Sequence, residues 1–137
     1  MTDSGRPKCV LFVCHENCNR SQMAEAFARM HGAGLVEPYS AGCHPAHSVS
    51  AQAIAAMRDL GYDLGRHFPK GLSQVPDVEY DVVVMMSQDR CPGLKAKHRE
   101  EWNIPVPKWM PPEQFRAVRD QIAEKVRELL AGLRNTD

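Results

Sequence analysis

The sequence predicts an α/β fold in which helices cover both faces of a parallel sheet. Residues 9–13 and 82–86 are short, continuous apolar runs, which are typical of central parallel strands buried on both sides. Residues 113–133 repeat apolar side chains every three or four positions, which indicates a long amphipathic helix. Because strand-like and helix-like segments alternate along the chain, we expect right-handed crossovers between parallel strands.

The length and composition are those expected of one compact domain. With 137 residues, the chain is predicted to form a single domain over residues 1–137, with its core in residues 8–133. Lysine plus arginine and aspartate plus glutamate both total 17, so no overall charge favours nucleic acid or an anionic membrane as a partner. The polar N-terminus and the lack of a long apolar run argue against a signal peptide or a membrane span.

The cysteines indicate a reducing compartment. The chain has five, an odd number without regular spacing, and no Cys-x-x-Cys pair. A secreted disulfide framework or a zinc site would show a different pattern, so we expect a cytoplasmic protein with free thiols. Cys43, His44 and His47 lie close in sequence, but their loop lacks a fourth partner, and no metal site is predicted. We expect Cys9 and Cys43 to be structural.

The first helix is predicted at Arg20–His31, directly after a short polar loop. Asn19 is its predicted N-cap, with Gln22 three residues later as in a capping box. The inward face is formed by Met23, Phe27 and Met30. We expect these three side chains to belong to the core.

The remaining elements follow from apolar periodicity and from glycine and proline. Strands are predicted at residues 35–41 and 80–86, and a helix is predicted at 50–60 with Ala53, Ile54, Met57 and Leu60 inward. Two glycines and two prolines make residues 62–78 a loop, in which His67 and Lys70 are either solvated or at the mouth of a site. A last, edge strand is predicted at 102–106, because nearby prolines disfavour a central position.

The loop between the first strand and the first helix carries the strongest functional signal. Cys14 and Arg20 bracket five residues, and a strand-to-helix loop of this length can direct successive backbone N–H groups at one anion. Arg20 adds a planar fork of donors, and Ser21 could donate its hydroxyl to the Cys14 thiolate, which a helix N-terminus and an arginine favour. The oxyanion-binding residues predicted here are His15, Glu16, Asn17, Cys18, Asn19 and Arg20. The alternative is that Cys14 is a small core residue.

Taken together, residues 10–14 and 20–25 resemble the low-molecular-weight protein tyrosine phosphatases and the thiol-dependent arsenate reductases of the same fold. The resemblance continues through residues 39–42, 82–86 and 102–107 and covers nearly the whole chain. It implies an open four-stranded parallel sheet, Cys14 as nucleophile, Arg20 and the loop amides as oxyanion ligands, and Ser21 as the hydroxyl that stabilises the thiolate. Residues 21–25, Ser-Gln-Met-Ala-Glu, resemble the start of the helix in the reductase branch.

Two departures from the family pattern bear on the reaction. The family's general-acid aspartate aligns with Val106, so protonation of an ester leaving group, typically worth 10²–10⁴-fold, is lost. A second redox cysteine found in many reductases aligns with Ser87. The Cys91-Pro92 pair resembles the reductase segment that carries a resolving cysteine, so Cys91 is the first candidate for the second thiol, followed by Cys18 and an external thiol.

The leading hypothesis is the reduction of arsenate to arsenite by attack of the Cys14 thiolate and subsequent thiol–disulfide exchange. It requires no bound cofactor but an external reductant, which is thioredoxin, glutaredoxin or a small thiol. The alternatives are hydrolysis of phosphotyrosine-like esters and a non-catalytic module that binds oxyanions.

Overall fold

The computed structural model describes residues 6–88 and 93–135, and four parallel strands form its central sheet. The strands are β1 (Lys8–Cys14), β2 (Val36–Gly42), β3 (Glu79–Met85) and β4 (Lys95–Glu101), in the spatial order β2-β1-β3-β4. The α-helices are α1 (Arg20–His31), α2 (Ala51–Arg58) and α3 (Pro112–Arg134), and two 3₁₀ turns lie at Leu64–Arg66 and Leu72–Gln74. This architecture confirms the predicted fold class.

The alternating side chains of the strands divide the core into two layers. Val10, Phe12 and Val84 point to the face where all three α-helices pack. Leu11 and Val83 point to the other face, where Leu72, from the second 3₁₀ turn, packs with Val75 and Tyr80. Helical turns therefore cover both faces, although in the described residues the second face carries a 3₁₀ turn and not an α-helix.

The strand order places the functional loop at the centre of the sheet. β1 pairs with β2 on one side and with β3 on the other, so the chain leaves the carboxyl ends of β1 and β3 in opposite directions. Open α/β sheets bind ligands in the crevice formed at such a reversal of strand order. The loop at residues 14–20, which follows β1, opens into this crevice.

The fourth strand differs from the prediction. It lies at Lys95–Glu101, and residues 102–106 are a loop. The sequence of β4, Lys-Ala-Lys-His-Arg-Glu-Glu, has no apolar run because this edge strand pairs with β3 alone and is mostly exposed. Trp102 and Ile104 are buried, and they anchor the loop that leaves the strand.

Two local predictions were wrong in part. Asn19 is the N-cap residue of α1, as predicted, but the expected capping box does not form. The Asn19 side chain makes no cap hydrogen bond, its Oδ1 accepts one from Ser50 Oγ, and Gln22 contacts other residues. The second helix is shorter than expected and ends at Arg58, so Leu60 falls beyond the helical periodicity and is 42% exposed. The predicted bounds of α1 are confirmed.

In the described ranges, no helix combines the length and the apolarity that crossing a bilayer requires.

Two matched substitutions test the packing of α2. Met57 is fully buried, and we expect Met57→Ala to lower the free energy of unfolding by about 2–5 kcal/mol through loss of apolar contacts and creation of a cavity. Leu60→Ala should change it by less than about 1 kcal/mol, because the side chain is partly solvated. Urea unfolding followed by circular dichroism measures both. Equal losses would contradict the position of Leu60 outside the core.

Candidate active site

A pocket of about 930 Å³ opens at the carboxyl edge of the sheet. Its floor is the loop at residues 14–20, and its walls come from the segments that follow β3 and β4, including Met86, Ser87, Trp102 and Val106. Cys14, the last residue of β1, is 3% exposed and lines this pocket. The predicted site residues from Cys14 to Arg20 therefore converge on one cavity, apart from Asn17, which lies behind the pocket surface.

The Cys14 thiol is paired with the Ser21 hydroxyl, as the sequence predicted. Cys14 Sγ lies 2.9 Å from Ser21 Oγ, and Ser21 is fully buried in the first turn of α1. Asn17 Nδ2 donates to the same Oγ over 2.7 Å. The amide N–H of Asn17 occupies one lone pair of the hydroxyl oxygen, and either Cys14 or Ser21 can be the donor in the contact between them. The Ser21 hydroxyl is therefore placed to donate to the sulfur when Cys14 is ionised.

Asn17 gives the loop its shape. Its φ of 53° is in the left-handed region, which asparagine tolerates better than most residues, and its side chain is fully buried. Asn17 Oδ1 accepts hydrogen bonds from Gln22 Nε2 (2.9 Å) and from the backbone N–H of Lys70 (2.8 Å). Gln22 Nε2 also contacts the Asn17 carbonyl oxygen at 3.1 Å. These hydrogen bonds fix the backbone conformation of the loop from behind the pocket surface.

A histidine and a tyrosine extend this network away from the pocket. His67 Nδ1 lies 2.8 Å from Gln22 Oε1, and His67 Nε2 lies 2.7 Å from the Tyr62 hydroxyl. Gln22 Oε1 can only accept, so Nδ1 carries a proton, and burial lowers the pKa of His67 and favours the neutral ring. Nε2 of the neutral ring then accepts from Tyr62. His67 therefore supports the loop from behind. It does not line the pocket, so the alternative that placed it at the mouth of this site was wrong.

Lys70 connects the loop to a buried ion pair. Its Nζ lies 3.9 Å from Glu25 Oε1, which also accepts a 2.5 Å hydrogen bond from Ser40 Oγ. Glu25 is only 4% exposed, and burial lowers the pKa of Lys70. The backbone of Lys70 donates to Asn17 and accepts from Gly42 N–H at 2.8 Å. The sequence could not distinguish this structural role from that of a solvated loop residue.

Arg20 joins the loop to both walls of the pocket. The residue is 7% exposed, and its Nη1 donates to the carbonyl oxygen of Ile104 over 3.1 Å and to that of Met86. These two carbonyls belong to the segments after β4 and β3. Two bonds of this kind hold the guanidinium at the pocket surface, where its planar head can meet an oxyanion.

Cys18 is held as a neutral thiol. It is 8% exposed, its Sγ donates to Glu16 Oε1 (3.8 Å), and Asn19 Nδ2 donates to the same sulfur (3.6 Å). Burial, followed by the negative charge of Glu16, raises the pKa of Cys18 to about 11. Since the thiolate is the nucleophilic form, Cys18 is a poor nucleophile in this arrangement.

The rim of the loop carries an ion pair that the sequence analysis did not predict. Glu16 forms an ion pair with Lys108, whose Nζ is 3.3 Å from Glu16 Oε1. His15 is exposed, and its ring centroid lies 4.8 Å from that of His44. Val106, which the family resemblance aligned with the general-acid aspartate, lines the pocket and is 57% exposed.

The other three cysteines were predicted to be structural (Cys9 and Cys43) or to supply the second thiol (Cys91). Cys91 lies outside the described residues, although Ser87 and Gln88, which come shortly before it in sequence, line the pocket. Cys9 Sγ contacts Glu37 at 4.0 Å, and burial is the main cause that raises the Cys9 pKa. Cys43 is partly buried in the second core layer. Within residues 6–88 and 93–135, no three His, Cys, Asp or Glu side chains are grouped so that they could hold a metal ion.

The site thus combines a buried thiol with a strand-to-helix loop in a four-stranded parallel sheet. The family model described as low molecular weight phosphotyrosine protein phosphatase matches residues 9–137, and the chain belongs to this family.

Within the family, the chain is similar to arsenate reductases. It is 34% identical to the glutaredoxin arsenate reductase of Synechocystis over 130 residues, which cover 92% of this chain and 98% of that protein. It is also 34% identical to an arsenate reductase of Staphylococcus aureus over 119 residues, with 84% and 90% coverage. A solved structure described as an arsenate reductase in the phosphate binding state aligns with a TM-score of 0.84 at 34% identity, covering 92% of this chain and 98% of the other.

A substitution at Gly42 tests the position of the loop. A Cβ atom at Gly42 would lie 2.8 Å from both Asn17 N and His15 O, so Gly42→Ala must displace the backbone of the loop. We expect the dissociation constant for inorganic phosphate, measured by thermal shift, to increase at least about tenfold, because misdirected N–H donors bind an anion poorly. Gly132→Ala is the matched control, since its Cβ would meet nothing within 4 Å. Unchanged phosphate binding by Gly42→Ala would refute the proposed loop geometry.

The protonation of Cys18 can be measured by alkylation. With a pKa of about 11, only about one thiol in a thousand is ionised at pH 8, so its reaction with iodoacetamide should accelerate about tenfold per pH unit up to pH 10. Glu16→Gln removes a charge that raises this pKa and should accelerate the reaction at pH 8. Site-resolved mass spectrometry measures the rate, and a plateau below pH 9 in the wild type would contradict the assignment.

Proposed function

We propose that this protein is a thiol-dependent arsenate reductase in which Cys14 is the nucleophile. The observation that carries the proposal is the Cys14–Ser21 pair at 2.9 Å at the floor of a pocket that the aliphatic Val106 also lines. The similarity to arsenate reductases over nearly the whole chain supports it.

In the first step, the backbone N–H groups of the loop and the Arg20 guanidinium bind the arsenate oxygens. The Cys14 thiolate, stabilised by the Ser21 hydroxyl, attacks arsenic from the pocket floor. A sulfur–arsenic bond forms and an arsenic–oxygen bond breaks. The departing oxygen takes up protons from the arsenate hydroxyls or from solvent and leaves as water.

The lack of an acid at Val106 favours arsenate over a phosphate ester. An aryl or alkyl oxide needs a proton as it leaves phosphorus, and a positioned acid contributes typically 10²–10⁴-fold to that step. Arsenate carries its own exchangeable hydroxyl groups, and its leaving group is water. An aliphatic side chain at the pocket wall therefore costs the reductase reaction less than it costs ester hydrolysis.

In the second step, another thiolate attacks the sulfur of the Cys14–arsenic adduct. A disulfide forms, the sulfur–arsenic bond breaks, and its electron pair stays on arsenic, which leaves as arsenite. Arsenic is reduced by two electrons and two thiols are oxidised.

The second thiol is the less defined partner. Cys18 is close in sequence, but its pKa of about 11 keeps it protonated, which argues against it. We therefore retain Cys91 as the first candidate, supported by the pocket position of the nearby Ser87 and Gln88, with an external thiol as the alternative. Thioredoxin, glutaredoxin or a small thiol would then reduce the resulting disulfide.

Purified protein supplied with arsenate and a thiol-recycling system should release arsenite and consume reductant. Cys14→Ser should abolish this turnover, because the attacking atom is lost, whereas Cys9→Ser, at the opposite end of β1, should retain it. The absence of arsenate-dependent oxidation with every thiol donor would refute the proposal. Vanadate-sensitive hydrolysis of an aryl phosphate would then favour a phosphatase, and phosphate binding without any turnover would favour a binding module.

Disulfide mapping after a single turnover identifies the second thiol. Reduced protein is treated with arsenate, and the products are analysed by mass spectrometry in the wild type and in the Cys18→Ser and Cys91→Ser variants. A Cys14–Cys91 disulfide supports an internal relay. A mixed disulfide on Cys14 supports an external thiol, and a Cys14–Cys18 disulfide would contradict the argument from the Cys18 pKa.

A further inference from the structure

Glu16 is an unfavourable residue for an oxyanion site. It is the second residue after Cys14, and its side chain lines the same pocket. The effect of its charge within the loop is evident at Cys18, whose pKa it helps to raise. A carboxylate in this position repels an incoming anion, and the repulsion doubles when the anion carries two charges.

Lys108 approaches Glu16 from the segment that directly follows Pro107, which lines the pocket. The two residues are 92 positions apart in the chain, and Lys108 Nζ lies 3.3 Å from Glu16 Oε1. A hydrogen bond from Met110 N–H to the Pro107 carbonyl oxygen (3.0 Å) closes the turn that carries Lys108. Within this turn Trp109 has a φ of 72°, and the Lys108 ammonium lies 5.8 Å from its ring centroid. The backbone of the turn thus presents the ammonium at the rim of the anion loop.

We propose that Lys108 determines the oxyanion affinity of this site by cancelling the negative charge that Glu16 places at the rim of the loop. The pair is partly solvated, with 45% and 36% of the two side chains exposed, so it contributes little to folding stability. The pair instead affects the affinity for the bound anion, because the anion interacts with both charges. Lys108 attracts the anion and Glu16 repels it, and the two effects offset each other.

This inference rests on the proposed function only in taking residues 14–20 as the oxyanion site. It requires no turnover, so inorganic phosphate is a sufficient probe. For unit charges separated by several ångströms near a protein surface, the interaction corresponds to about a 3- to 10-fold change in the dissociation constant.

The test compares phosphate dissociation constants, measured by isothermal calorimetry at low salt. Lys108→Ala should weaken binding about 3- to 10-fold, Glu16→Gln should strengthen it by a similar factor, and the double variant should bind like the wild type. Lys108→Arg should retain wild-type affinity because it retains the charge. Lys97→Ala is the matched control, since Lys97 forms a comparable exposed ion pair with Asp81 (3.4 Å) between β4 and β3.

Measurements at high salt and of stability distinguish an electrostatic effect of Lys108→Ala from an effect on the folded structure. If Lys108 acts through its charge, its effect on the phosphate dissociation constant decreases at high ionic strength, and the urea midpoint of Lys108→Ala equals that of the wild type. A double variant that binds phosphate as weakly as Lys108→Ala would overturn the proposal, as would an unchanged dissociation constant for Lys108→Ala.

The arsenate assay distinguishes failure of this role of Lys108 from failure of the proposed reductase function. Wild-type protein that does not bind phosphate would refute both the site and this role of Lys108. Phosphate binding that follows the predicted order, without arsenate turnover, would refute the reductase function alone. In an active enzyme, Lys108→Ala should raise the KM for arsenate and leave kcat within about twofold, because the charge acts on binding of the anion.

Discussion

The left-handed backbone of Asn17 is the constraint on which the site depends. The positive φ of Asn17 reverses the direction of the chain within the loop, which a nest of N–H groups directed at one anion would require. The cost of that conformation is offset by hydrogen bonds to every polar group of the asparagine side chain. Its amide nitrogen bonds Ser21, and its amide oxygen bonds Gln22 and the backbone of Lys70. One side chain therefore fixes both the shape of the anion site and the orientation of the hydroxyl next to Cys14.

The support for this residue comes from three separate parts of the chain. Gln22 belongs to α1, His67 and Lys70 belong to the segment before β3, and Gly42 ends β2. Gly42 lies so close to the loop that a methyl group at this position would touch backbone atoms of Asn17 and His15. On the pocket side of the loop, Arg20 donates hydrogen bonds to the carbonyl oxygens of Ile104 and Met86. The loop is thus held between the sheet, the first helix and both walls of the pocket.

Features that arise from local sequence were predictable. The strand, the five-residue loop and the helix that follow one another from residue 8 to residue 31 appear with nearly the expected bounds, and the Cys14–Ser21 contact joins residues only seven positions apart. The contacts of Gln22 with His67 and of Glu16 with Lys108 join residues 45 and 92 positions apart, so no local sequence pattern predicts them. The fourth strand was missed because its position at the sheet edge, and not apolar periodicity, determines its composition.

The charged composition of β4 has a consequence for the protein in a crowded solution. An edge strand presents unpaired backbone N–H and C=O groups, to which the strand of another molecule can add. Lysine, arginine and glutamate side chains along Lys95–Glu101 make such addition unfavourable, since a second chain would have to bury or repel these charges. The strand that carries the least hydrophobic sequence in the sheet therefore disfavours the addition of a further strand at this edge.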